Sequence, residues 1–267
     1  MRIKLVVAYD GTDFRGWAAQ PGLRTIRGTL TEAVRFISGE EIEIWGASRT
    51  DSGAHAKGQV AHFDTEVAIP PERWARVLSR RLPHDLAVVS SARVGDDFSA
   101  RFMARDRFYR YRILTAPRDP HRGRFVHAYG RELDAEAMQR AANHLSGRHD
   151  FLAFTEELEP TVINTVRELY SVKVSRRRDE VWVDVVGTAF LRGMMRRMAG
   201  ALLEVGRGAR PVEEVSKLLT KEGQETLEWP VVLPARGLCL MRVRYGRTPV
   251  DNRPRNDSAR YIDDAGI

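Results

Sequence analysis

The sequence of 267 residues has a single cysteine, Cys239. One thiol excludes an internal disulfide, and such scarcity points to a reducing compartment. Long apolar runs are missing as well. The run near the start, Leu5 to Ala8, is too short for a signal-peptide core, and nothing approaches the ~20 apolar residues of a membrane span. Arg2 stands where myristoylation needs a glycine, and the last residues, Asp264 to Ile267, contain no cysteine box. These absences lead us to expect a cytoplasmic chain with no membrane attachment. No G-x-G-x-x-G, P-loop or H-E-x-x-H motif occurs, which excludes the usual dinucleotide, nucleoside-triphosphate and zinc-protease sites. Lysine is also scarce: of 43 basic residues only 5 are lysine, and the rest are arginine.

What is present reads as an ordinary globular chain. Hydrophobic residues make up 43% and charged residues 30%. A chain of this length buries roughly 75% of its unfolded surface, so its core needs no metal or disulfide. The net charge of +7 is unevenly spread. The stretch Arg101 to Arg131 holds nine arginines against two aspartates, so formally it accounts for the whole excess. A sequence pI near 9.8 with clustered arginine is the electrostatic footprint of a nucleic-acid binder.

Periodicity organises the chain into two similar halves. Ile3 to Tyr9 reads as a strand. Ile26, Leu30, Ala33, Val34 and Ile37 form one stripe of a helix, with Thr25 as its N-cap and Gly39 as its stop. Ile42 to Trp45 and Gln59 to Phe63 read as strands around a loop at Ser48 to Gly58. Pro70 opens a helix that ends before Pro83, and Leu86 to Ala92 is a further strand. This β-α-β-β-α-β order is ferredoxin-like. The second half shows strands at Phe108 to Leu114 and Phe125 to Tyr129, then a helix capped by Asp134. A hairpin follows around Arg176 to Glu180, then a helix from Ala189 to Val205, a short helix near Val212 and a strand from Leu238 to Tyr245 that closes this half. Met194, Met195 and Met198 fall at core-facing helical spacing. We therefore expect an α+β protein of two ferredoxin-like halves with mainly antiparallel sheets. The N-terminal domain would span 1–103 and the C-terminal domain 104–246. The polar remainder, 247–267, reads as a disordered tail.

The chemistry concentrates in Ser48-Arg49-Thr50-Asp51-Ser52-Gly53-Ala54-His55-Ala56. By spacing alone, Asp51-Ser52-Gly53 reads first as a turn with an aspartate cap. The alternative is an aspartate kept ionised by Arg49 and presented to a ligand as nucleophile or general base. His55 and His62 lie seven residues apart and lack a third ligand at metal spacing, so no metal site is expected.

The loop, Arg49-Thr50-Asp51-x-Gly53-x-His55-Ala56 followed by Gly58-Gln-Val-Ala-His-Phe63, resembles the active-site loop of tRNA pseudouridine synthases of the A type. Further segments carry the same resemblance in order. They are Tyr9-Asp10-Gly11 to Trp17, Asp97 to Phe102, Phe108-Tyr109-Arg110-Tyr111, Thr165-Val166-Arg167, Ala189-Phe190-Leu191 with Met194 and Arg196, and Gly237 to Tyr245. The resemblance implies the pseudouridine synthase fold, with the active-site cleft between the two halves. It implies isomerisation of uridine to pseudouridine in the tRNA anticodon stem-loop, about positions 38 to 40, by a homodimer using no cofactor and no metal. By the same resemblance Asp51 is the catalytic aspartate, Tyr109 stacks on the target base, Arg196 pairs with the aspartate and Arg49 lies beside the flipped base. Flipping a base out of a stem costs a few kcal/mol, and aromatic stacking returns roughly 1–3 kcal/mol. Arg110, with Arg105 and Arg107, is expected to contact substrate phosphates. Ser48, Ala18, Arg27, Ser79 and Arg192 depart from the family's usual residues, which points to altered substrate contacts. The competing reading is a non-catalytic RNA-binding or RNA-chaperone protein on the same fold.

Overall fold

The computed structural model describes residues 1–155 and 164–246; the expected tail at 247–267 lies outside the described residues. Among the described residues the chain divides into two compact units, one formed by residues 1–105 with 239–246, the other by 106–238.

The first unit is built on β1 (Arg2–Tyr9), where strict alternation buries Ile3, Leu5, Val7 and Tyr9. Helix α1 (Ile26–Ser38) follows. The Thr25 hydroxyl accepts the Gly28 amide at its start, and Gly39 ends it in the left-handed region at φ 71°. Next come β2 (Trp45–Gly46), β3 (His55–Asp64), a 3-10 turn at Pro71–Arg73, α2 (Trp74–Ser79) and β4 (Leu86–Val94). Strand β1 lies antiparallel between β3 and β4, and β2 adds to β3. The strand expected at 42–45 shrinks to Trp45–Gly46. Strand β3 starts at His55 rather than Gln59, inside the expected loop. Nearly every β3 residue is buried, because both of its faces are covered, and so it lacks the alternation that marks a half-exposed strand.

The second unit contains β5 (Ala104–Leu114), β6 (His127–Ala128), α3 (Ala135–Leu145), β7 (Gly147–Asp150), β8 (Val166–Arg177) and β9 (Glu180–Gly187). These are followed by α4 (Met194–Gly206), α5 (Val212–Lys217) and α6 (Lys221–Thr226). Strands β5, β9, β8 and β7 are neighbours in that order and pair antiparallel, while β6 runs parallel to β5. Asp134 caps α3 by accepting the Ala137 amide at 2.9 Å. Helix α4 begins at Met194, five residues later than the apolar run suggests, because Gly193 adopts φ 69° and cannot continue a right-handed helix upstream. Met194, Met195 and Met198 are buried as their spacing predicts. The architecture is mixed α+β with mostly antiparallel pairing, the fold class expected.

The last strand is β10 (Leu238–Tyr245). It pairs in parallel with β3, Cys239 opposite His55 and Leu240 opposite Ala56, and its residues from Cys239 to Tyr245 belong to the first unit. Its far end ties down the segment that leads out of that unit. The Tyr245 hydroxyl donates to the Ala100 carbonyl at 2.6 Å, and the Ala100 amide donates to His62 Nδ1 at 3.3 Å. Arg2 grips both Asp64 oxygens at 2.8 and 2.7 Å and donates to the Phe98 carbonyl at 2.8 Å. Burial pushes the His62 imidazole down to about 4, and the nearby Arg2 cation adds to the effect.

His62 therefore stays neutral in the fold while the unfolded chain takes up a proton near its ordinary value of 6.5. Its contribution is complete above that pH and declines as pH falls towards about 4. His62→Asn should keep an acceptor for Ala100 and remove roughly 1–3 kcal/mol of the acid-side loss in unfolding free energy. Parallel urea titrations of both proteins between these pH values would show the difference; identical pH slopes would contradict it.

Candidate functional site

The turn at Asp51 is held from beneath by the opening segment of the chain. The Trp17 amide donates to the Thr50 carbonyl at 3.0 Å, and the Thr50 and Tyr9 hydroxyls share a buried hydrogen bond at 2.8 Å. The Ser52 hydroxyl and the Gly53 amide both donate to the Phe14 carbonyl, each at 3.3 Å. The Gly11 amide donates to His55 Nδ1 at 3.1 Å, and Asp10 Oδ1 lies 3.2 Å from the same nitrogen. On the other flank, the fully buried Gln59 donates its amide to the Ser48 carbonyl at 2.6 Å. The Asp51 carbonyl accepts the Ala54 amide at 3.0 Å and closes the turn, with Gly53 at φ 80°. The expected Asp-Ser-Gly turn is therefore present. Its aspartate side chain is half-buried, and neighbouring Arg49 is exposed.

Gly11 is the tightest point of this arrangement. A Cβ there would sit 1.9 Å from the Ala54 carbonyl oxygen. Only a residue without a side chain lets the corner after β1 meet the corner before β3.

The remaining expected residues lie on the second unit. Tyr109 and Tyr111 share the buried face of β5. The Tyr109 ring, 4% exposed, packs against Phe190 at 4.9 Å in a T-shaped arrangement. The Tyr111 hydroxyl donates to the Pro234 carbonyl at 2.7 Å, and Arg196 of α4 donates Nε to the adjacent Leu233 carbonyl at 2.7 Å. Burial pushes the Tyr111 phenol well up, against the opposing pull of the Arg196 and Arg236 cations. One peptide segment thus orients Arg196 and anchors β5 close to Tyr109.

Arg110 occupies the opposite face of β5. Its guanidinium grips both Asp184 oxygens at 2.7 and 2.8 Å and lies 3.9 Å over the Trp182 ring. Arg112 grips Glu180 in the same two-pronged way, and Arg122 reaches Asp119, Asp179 and Glu180. Arg107 is buried and donates to the Thr188 carbonyl at 2.5 Å. Burial pushes the Glu180 carboxyl up, but Arg112 and Trp182 outweigh that and leave it below the usual carboxylate range. Three of the nine arginines in 101–131, namely Arg110, Arg112 and Arg122, are thus matched by acids of the β8–β9 hairpin, which are remote in sequence.

Sequence reasoning missed the supporting shell of Tyr9, Gly11, His55, Gln59 and Tyr111. Their places in the family-like segments were legible, but not the hydrogen bonds they make. His55 takes a hydrogen bond from Gly11. Among the described residues no group of three or more His, Cys, Asp or Glu is placed to hold a metal.

A sequence profile of the family described as tRNA pseudouridine synthase matches residues 5–103 and 141–246. Curated relatives are similar over most of their length. A tRNA pseudouridine synthase A of Halalkalibacterium halodurans is 43% identical over 226 residues, 84% of this chain and 86% of the relative. One from Syntrophotalea carbinolica is 41% identical over 244 residues, 91% and 96% of the two chains. One from Brevibacillus brevis is 39% identical over 245 residues, 91% and 99%.

The packing at Gly11 can be tested directly. Gly11→Ala should lower the unfolding free energy by about 2–3 kcal/mol or more, since backbone lies on the far side of the contact. Tyr9→Phe, which strips one buried hydroxyl from Thr50, should cost about 1 kcal/mol. Denaturant midpoints unchanged in both would mean that the two segments do not depend on each other.

Proposed function

Since the chain belongs to the tRNA pseudouridine synthase family, we propose that it isomerises uridines of the anticodon stem-loop, about positions 38 to 40, with Asp51 as the catalytic group. The observation that carries this reading is the turn itself. A half-buried carboxylate sits at its apex, and five backbone or side-chain hydrogen bonds from Tyr9, Phe14, Trp17 and Gln59 fix the surrounding chain. Positioning of this kind is what general-base or nucleophilic work demands of a weakly basic group.

The step we favour is proton removal. The Asp51 carboxylate takes the proton from C2′ of the target ribose. The C–H electron pair becomes a C1′–C2′ double bond, and the C1′–N1 pair leaves with the uracil as an anion. The ring turns, C5 bonds to C1′, and Asp51 returns its proton to C2′. The proton on C5 then moves to N1, and the net result is an isomer with no cofactor consumed. Tyr109 supplies an aromatic face for the flipped base, its ring orientation limited by Phe190. Arg196 supplies the cation that pairs with the Asp51 carboxylate and keeps it ionised, and Arg49 supplies a cation beside the flipped base. Arg110, already matched by Asp184, serves mainly to hold the sheet face that presents β5. We place the reaction in the cytoplasm, carried out by a homodimer as the sequence resemblance implies.

Two measurements test this. Asp51→Ala should abolish pseudouridine formation in the anticodon stem-loop while tRNA still binds; unchanged modification would remove Asp51 from the role. Deuterium at C2′ of the target uridine should slow single-turnover formation about two-fold or more if proton removal limits the rate. Full-speed turnover of the deuterated substrate in a variant limited by chemistry would favour attack at C1′ or C6.

A further inference from the structure

The arginines of 101–131 are partly matched by acids, but a second arginine cluster is not. Arg73, Arg76, Arg80 and Arg81 fall within nine residues and are all exposed. Glu72 is the only acidic residue between Pro71 and Leu82. Among the described residues, none of the four arginines forms an ion pair. Arg73, Arg76 and Arg80 stand at i, i+3 and i+7, one stripe along the 3-10 turn and α2. Trp74 and Leu78 point the other way and are fully buried.

The stripe rests on a fixed base. The Ala75 amide donates to the Ser91 hydroxyl at 2.8 Å. The Ser79 hydroxyl donates to the Val88 carbonyl at 3.2 Å and lies 3.3 Å from the Val88 amide. Helix α2 is therefore pinned at both ends to β4. Beside it, Phe36 of α1 is 68% exposed, the largest exposure among the large hydrophobic residues described. The Arg81 guanidinium lies 3.9 Å over its ring. Phe36 and Arg81 line a shallow hollow with Thr29, Glu32, Ala33 and Leu82.

We propose that this face, Arg73, Arg76, Arg80 and Arg81 with Phe36, is an RNA-contact surface that binds the phosphate backbone of the tRNA substrate. It rests on the tRNA reading above and adds to it a surface distinct from the turn that carries Asp51. A stripe of guanidinium groups three and four residues apart on a rigid helix can reach successive phosphates of one strand. An arginine already stacked on an aromatic ring gives up little freedom on binding. Phosphate suits the face better than a second copy of this chain, which carries +7 and would bring more positive charge to it. The face names no base, so its contribution is to affinity and salt dependence rather than to the choice of uridine.

The test is full-length tRNA binding measured across a salt series. The triple variant Arg73→Gln, Arg76→Gln, Arg80→Gln should flatten the plot of log affinity against log salt by about two units, near 0.7–0.9 for each phosphate no longer neutralised. Its kcat at saturating tRNA should be unchanged. A control removing the same charge from exposed positions elsewhere, Arg140→Gln with Lys217→Gln and Lys221→Gln, should leave the slope as it was. An unaltered slope in the first variant overturns the proposal, as does equal flattening by the control. A changed sedimentation rate with an unaltered slope would assign the face to a protein partner and overturn it too. The same series in an Asp51→Asn background separates the two readings, because an error about Asp51 leaves the binding slopes untouched.

Discussion

The Thr50 backbone and side chain are both engaged by the opening segment. Its carbonyl takes the Trp17 amide, and its hydroxyl meets the Tyr9 phenol in a buried environment. The site depends on that two-point hold. Removed from it, Asp51 would sit on an ordinary glycine-containing turn with wide conformational freedom. With it, β1 and β3 present a single rigid corner. Gly11 makes the approach possible, because any Cβ would collide with the Ala54 carbonyl. Core strand packing and placement of the Asp51 turn are thus one problem with one solution.

Charge follows a different logic. Two of the four arginines of β5 are paired with acids that the chain supplies some seventy residues later, Asp184 for Arg110 and Glu180 for Arg112. A paired arginine stacked on Trp182 stiffens a sheet face, but it offers less to a phosphate than a linear count suggests. The arginines of residues 73–81 make no such pairs among the described residues. Basic sequence and basic surface are therefore different quantities, and the difference decides where a polyanion is drawn.

Much of the fold is legible in the chain itself. The stripe at Ile26 to Ile37, its Thr25 cap and its Gly39 stop can be read because helix ends obey local rules. The alternation of β1 can be read because one face is buried and the other is not. Strand β3 starts earlier than its pattern predicts, because burial on both faces erases alternation. Helix α4 starts later than its pattern predicts, because apolar composition continues upstream of the point where Gly193 turns the backbone.

The sequence by itself determined the family, the turn at Asp51 and the aromatic at Tyr109, since motif order and local turn chemistry are properties of the linear chain. Only the tertiary structure decided which strand completes which sheet. The parallel pairing of β10 with β3 joins residues almost two hundred positions apart and leaves no local mark. It alone decided which arginines are matched by an acid, because ion pairing depends on distance in space and the matching carboxylates come from distant parts of the chain. And it alone revealed Tyr9, Gly11 and His55 as the support of the Asp51 turn, since a hydrogen bond between segments some forty residues apart has no signature in either segment.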